Sequence, residues 1–128
     1  MTVTDPIADL LTRIRNAQMA NKSLTVAPYS KIKEDICKVL KSSNFIEDYS
    51  VEKNGKFSEL SITFANEYPS LELKRVSRPG QRIYIKHSEI PRIKNGMGIG
   101  IMSTPKGIMS TREAKKIQLG GELLCTIS

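Results

Sequence analysis

The chain has 128 residues, with 20 Lys and Arg against 13 Asp and Glu, for a formal net charge of +7. That length suits one domain or two small halves sharing a modest core, and 39% hydrophobic with 26% charged residues excludes wholesale disorder. No apolar run approaches the roughly 20 residues of a membrane-spanning helix, and the opening Met1-Thr2-Val3-Thr4-Asp5-Pro6 carries no basic leader, so neither a membrane span nor a signal or transit peptide is expected.

Asp5-Pro6 is a helix start, with Asp as N-cap and Pro at the first helical position. Ile7, Leu10, Leu11, Ile14 and Ala17 follow at helical spacing, with Asp9 and Arg13 an i,i+4 pair on the other side, and the helix is predicted to end near Met19–Asn21. Leu24–Ala27 reads as a short strand before Pro28. Ser30 caps a second helix whose apolar stripe is Ile32, Ile36, Val39 and Leu40, and Ser42-Ser43-Asn44 ends it. Phe45–Lys53 and Phe57–Ala65 flank Asn54-Gly55, a hairpin signal with Lys53 and Lys56 at its tip. This half reads α-β-α-β-β.

Tyr68-Pro69-Ser70 marks the junction, giving an N-terminal α/β half over 1–66 and a C-terminal β-rich half over 67–128. Leu71–Val76 is predicted as a strand, Ser77-Arg78-Pro79-Gly80 as a type II turn, and Arg82–Lys86 as the return strand. Its alternation places Ile83 and Ile85 on one face and Arg82, Tyr84 and Lys86 on the other. Ser88-Glu89-Ile90-Pro91 is at most a brief turn of helix. The Gly-rich Gly96-Met97-Gly98-Ile99-Gly100 lacks the spacing of a dinucleotide fingerprint and suits close backbone packing or a bend into a strand over Ile99–Ser103. Ser103-Thr104-Pro105-Lys106-Gly107 is a polar turn. Ser110-Thr111-Arg112-Glu113 is a capping box opening a helix to about Ile117, Gly120-Gly121 ends it, and Glu122–Ile127 is a final strand. The expected fold class is α+β, the second half mostly antiparallel β with a short helix.

The charge is unevenly placed. Residues 1–64 carry +1 and residues 65–128 carry +6, and Lys74, Arg75, Arg78, Arg82, Lys86, Arg92 and Lys94 face only one acid, Glu89. A one-sided field of this kind attracts polyanions, nucleic acid foremost, unless it is merely a solvated basic face. Tyr84 between Arg82 and Lys86 suits base stacking with phosphate held on either side; the alternative is an interface or core aromatic. In Ser103–Gly107 the hydroxyls suit base edges and 2′-hydroxyls, Lys106 suits phosphate, Gly107 permits close backbone approach, and the helix start at Ser110 adds partial positive charge; the alternative is an ordinary connection. Cys37 and Cys125 are expected as buried thiols of a reducing compartment. The single histidine, His87, reads as a surface loop residue. No metal site, cofactor site or nucleophile constellation is present in the sequence, so an enzyme using Ser103 or His87 is disfavoured against a nucleic-acid-binding protein or a messenger-binding regulator.

Taken together, Asp5–Asn16, Ser30-Lys31-Ile32-Lys33, Phe45-Ile46-Glu47-Asp48, Arg75–Gly80, Gly96-Met97-Gly98-Ile99, Ser103–Met109 and Gly120-Gly121-Glu122 resemble, in order and over essentially the whole chain, the bacterial small-subunit ribosomal protein S-eight family. The resemblance implies a structural ribosomal protein with two packed α+β halves. It binds the central domain of small-subunit ribosomal RNA, contacts neighbouring small-subunit proteins including the fifth of the series, and in many bacteria represses its own operon messenger. It implies residence in the small subunit of the cytoplasm, or of an organelle that encodes its own ribosomal proteins, with no cofactor and no membrane. Carried over by position, the RNA contacts are Ser103, Thr104, Lys106 and Gly107, with Tyr84 and Glu122 nearby, and Lys31, Thr4 and Asp5 from the N-terminal half. One departure stands in the loop: Pro105 occupies a position where the family usually has Ser, so a hydroxyl and a backbone N–H are lost there and the loop is stiffened.

Overall fold

The computed structural model describes residues 5–64, 72–90 and 98–128. The expected junction Tyr68-Pro69-Ser70, Thr4, Arg92, Lys94 and the Gly96-Met97 step lie outside the described residues. The described chain forms two compact units, one within Pro6–Leu71 and the other joining Asp5 to the residues from Glu72 onward. The fold class is α+β, as expected.

In the first unit, α1 spans Pro6–Met19 and buries Ile7, Leu10, Leu11, Ile14 and Ala17, the stripe that the spacing predicts. Asn21, in the left-handed region at φ +54, closes it while the Lys22 N–H returns to the Ala17 carbonyl at 2.9 Å. Strand β1 is Leu24–Pro28. Helix α2, Lys31–Ser42, is capped by the Ser30 hydroxyl, which accepts from the Lys33 N–H at 3.3 Å. Strands β2 (Asp48–Asn54) and β3 (Phe57–Thr63) complete an antiparallel sheet in the order β1-β3-β2.

The hairpin differs from its expectation in register. Asn54 pairs with Phe57, so the two loop residues are Gly55 and Lys56 and not Asn54 and Gly55. Gly55 has φ +69 while Lys56 has no positive φ, the pattern of a type II′ turn with Gly at its first central position.

The stripe of α2 contains a cation that the apolar spacing does not reveal. Lys33 is 5% exposed and lies among Ile36, Cys37, Val39 and Leu40, whereas Ile32 is only partly buried. The Lys33 ammonium donates to the Pro28 carbonyl at 3.2 Å and to the Asp9 carboxylate at 3.4 Å. Arg13 donates to the same carboxylate oxygen at 3.0 Å and to the Val26 carbonyl at 3.0 Å. One carboxylate thus ties α1, α2 and β1 together. Burial raises the Asp9 pKa, but the hydrogen bonds and charges of Arg13 and Lys33 outweigh it and set the carboxyl below its ordinary value.

In the second unit, β4 is Leu73–Arg75, β5 is Tyr84–Ile85, β6 is Ile99–Thr104, β7 is Gly107–Ser110, α3 is Thr111–Lys116 and β8 is Gly121–Ile127. Strand β8 is the hub: β6 pairs along one edge, β4 and β5 pair in succession along the other, and β7 pairs with β6. The expected β4–β5 hairpin does not form as such. Both strands pair with β8, and the segment between them is closed by Ser77, whose buried hydroxyl accepts from the Ile83 N–H at 2.6 Å. Arg78 and Gln81 exchange backbone hydrogen bonds at 2.9 Å around Pro79-Gly80, but Gly80 has no positive φ, so the turn is not type II. Met102, Met109, Ala114 and Leu123 form a buried cluster, with Val76, Ile85 and Ile90 packed against it. His87 lies exposed in a single 3-10 turn, His87–Glu89. Cys37 and Cys125 are free and buried, and burial pushes both thiols up to about 12.

Replacing Lys33 with Ala leaves the Pro28 carbonyl without its ammonium and removes a buried aliphatic stem. Urea unfolding is expected to show a loss of about 1–3 kcal/mol, and an unchanged midpoint would show that the ammonium holds nothing in place.

Candidate nucleic-acid interface

The site is built by strand register. Tyr84 on β5 is the direct partner of Glu122 on β8, and Glu122 is the direct partner of Ser103 on β6. Partners in an antiparallel pair point to the same face, so three side chains from three distant parts of the sequence form one row across the sheet. Ile108, the partner of Ser103 on β7, continues it. Along β8 the pairing with β6 skips Leu124 between Cys125 and Leu123. The Leu124 carbonyl instead accepts from the Val76 N–H at 3.0 Å and from the Arg75 guanidinium.

Gly120 and Gly121 make this row attainable. A Cβ on Gly121 would overlap the Ser103 carbonyl oxygen and lie 3.2 Å from the Thr104 Cα. A Cβ on Gly120 would lie 2.7 Å from the Ile85 carbonyl oxygen and 3.0 Å from the Lys86 Cα. The pair therefore does more than stop a helix. Helix α3 already ends through Ile117 and Gln118, the latter at φ +58, and the two glycines let β8 start wedged between β5 and β6.

Apart from Thr4, which lies outside the described residues, each residue anticipated for binding has a definite place. Tyr84 is 71% exposed, so the core-aromatic alternative is overturned. The Ser103 hydroxyl is half-buried and has no protein partner among the described residues. Thr104 is different: it is buried, its hydroxyl donates to the Gly107 carbonyl at 2.8 Å and accepts from the Lys106 N–H at 3.2 Å. It shapes the turn. Thr104 pairs with Gly107, so Pro105 and Lys106 form the exposed tip, and Gly107 takes φ +117. Strand β7 then intervenes before α3, so the helix start does not follow the loop at once. Its Ser110 cap accepts from the Glu113 N–H at 3.2 Å, and Thr111 accepts from the Gly100 N–H at 3.0 Å.

Of the cations, Lys86 and Lys106 are exposed beside the row. Arg82 donates to Glu122 at 3.1 Å. Asp5 belongs to this unit: its carboxylate receives Arg75 at 3.0 and 3.3 Å, with the two side chains only 19% and 10% exposed. Lys31 lies in the other unit, exposed on α2 and paired with Asp35 at 3.2 Å. Sequence reasoning missed Gly121, the closing role of Ser77 and strand β7. The Gly-Gly pair before a strand was the available signal for the first of these.

A basic sheet face bearing an exposed aromatic ring, an unpartnered hydroxyl and a tight cationic turn has the make-up of a binding surface, and among the described residues no His/Cys/Asp/Glu group is placed to hold a metal. The sequence matches the family described as ribosomal protein S8 over residues 5–128. Proteins named small ribosomal subunit protein uS8 from Neisseria meningitidis serogroup C, Hydrogenovibrio crunogenus and Delftia acidovorans are 50%, 49% and 47% identical, each over 100% of both chains. The chain belongs to the ribosomal protein S8 family, as its motifs indicate, and is not an enzyme.

Gly121→Ala is expected to force β8 and β6 apart and to cost about 1–3 kcal/mol in thermal or urea unfolding. Wild-type stability in that variant would contradict the close approach.

Proposed function

We propose that this chain is a structural constituent of the small ribosomal subunit that binds its RNA directly, in the central domain, through the Tyr84–Glu122–Ser103 row and the Thr104–Gly107 turn. The observation carrying this reading is the register that lines those three side chains up across β5, β8 and β6. A-form RNA hides its base edges in a deep, narrow groove, so sequence is read where bases are splayed out. A splayed base needs a ring to stack on and short polar groups at its edge. Tyr84 supplies the ring, Ser103 and Glu122 supply the edge contacts, and Lys86 and Lys106 hold the backbone from either side. An operon messenger that folds into the same irregular shape would occupy the same row and compete with ribosomal RNA for it.

The test is quantitative binding to a central-domain RNA fragment and to a random duplex of equal length. Ser103→Ala is expected to weaken the fragment by about 1–3 kcal/mol, the value of a buried hydrogen-bonding group, and to leave the duplex alone. Lys106→Ala should weaken both RNAs and reduce the salt slope by about one contact. Equal losses on both RNAs for Ser103→Ala would remove it from the reading contacts.

A further inference from the structure

Arg82 is half-exposed, on a basic segment beside an exposed tyrosine, where a phosphate contact is the natural expectation. Its geometry says otherwise. The guanidinium Nη1 donates to Glu122 Oε2 at 3.1 Å, and the Glu122 side chain is only 13% exposed while that of Arg82 is 48% exposed. Glu122 is the cross-strand partner of both Tyr84 and Ser103, so its carboxylate sits at the centre of the row. Its other oxygen, Oε1, has no protein partner among the described residues. A carboxylate placed among phosphates is repelled by them, and a mostly covered one with an open acceptor is costly unless something completes it.

We infer that Arg82 is a positioning residue acting through Glu122. It neutralises the carboxylate and holds Oε2, which leaves Oε1 directed to accept one N–H from the amino group of an unpaired base stacked on Tyr84. This rests on the RNA-binding reading above and deepens it by naming the ligand chemistry. With Oε2 committed, the carboxylate presents one oxygen, which fits the single exocyclic amino group on the edge of adenine or cytosine. A guanine edge offers two adjacent N–H donors and calls for both oxygens. The Ser103 hydroxyl, on the far side of Glu122, both donates and accepts and so can meet the ring nitrogen beside that amino group.

The experiment uses the full chain, a central-domain small-subunit RNA fragment and a random duplex, with affinity followed over a series of KCl concentrations. Arg82→Ala is expected to weaken the fragment about tenfold, as for a hydrogen bond involving a charged group, with the salt slope and duplex affinity unchanged. Glu122→Gln should weaken it by a similar factor, because the amide offers its NH2 either to the guanidinium or to the base amino group, and neither accepts. The double variant should bind no worse than the weaker single one, since both changes remove one unit. Arg82→Lys should restore part of the loss. Dimethyl sulfate should find an adenine N1 or cytosine N3 protected by the wild type and reactive with Arg82→Ala. A salt slope that falls by about one in Arg82→Ala would make Arg82 a phosphate contact and overturn the inference, as would multiplying losses in the double variant. Circular dichroism confirms folding of each variant. A folded wild-type chain that ignores the fragment would sink the RNA reading itself, a result distinct from any of these.

Discussion

The second unit depends on the absence of a Cβ at Gly121. Strand β8 carries Glu122 and pairs on both edges, and its first residue sits against the Ser103 carbonyl so closely that no side chain fits. Backbone hydrogen bonds fix the spacing of neighbouring strands at about 4.8 Å, and a methyl group at this point would hold them apart. Gly120 does the same toward Ile85 and Lys86. Two side chains reduced to hydrogen therefore bring three strands from separate stretches of sequence into one row. In that row Tyr84, Glu122 and Ser103 adjoin.

Charge in this unit is divided by geometry more than by composition. The excess of bases over acids suggests a uniformly attractive face, yet two of the arginines are turned to internal use: Arg75 is held by Asp5 and the Leu124 carbonyl, and Arg82 pairs with Glu122. Lys86 and Lys106 remain exposed beside the row. The inward pairs decide shape, because a buried or half-buried guanidinium with several acceptors fixes a strand or a side chain. The exposed ammonium groups decide attraction, which is long-ranged and screened by salt.

The helices and most strands were legible because each is specified locally. Ile7, Leu10, Leu11 and Ile14 announce α1, Ser30 and Ser110 announce the caps of α2 and α3, and the faces of Arg82–Lys86 follow from alternation. What was not legible depends on partners far away in sequence. Nothing in Leu73–Arg75 or Tyr84–Ile85 states that each will pair with β8 and not with the other. Nothing in the α2 stripe states that Lys33 will be buried, because its acceptors, Asp9 and the Pro28 carbonyl, lie on other elements. The Asn54-Gly55 signal located a hairpin correctly but not its register, because Gly at either central position satisfies a tight turn. The candidate binding residues were named from side-chain chemistry and motif likeness, whereas their juxtaposition needed the sheet. Asp5 was expected among the N-terminal contacts, and it sits instead under Arg75 in the second unit.

The loop with Pro105 shows how the two levels combine. Where the resemblance leads one to expect Ser, this chain has a residue with neither hydroxyl nor N–H. The turn survives because neither group is needed for it. Proline at the first central position presets φ near −65°, and the hydrogen bonds that close the turn come from Thr104, to the Gly107 carbonyl and from the Lys106 N–H. With the Thr104 hydroxyl consumed by shape and none at position 105, Ser103 is the one hydroxyl of this loop left to face outward. On the proposed RNA-binding reading, the loop contributes one short hydroxyl and one ammonium, and discrimination falls on the neighbours of Ser103 in the row, the ring of Tyr84 and the carboxylate of Glu122, more than on the loop itself.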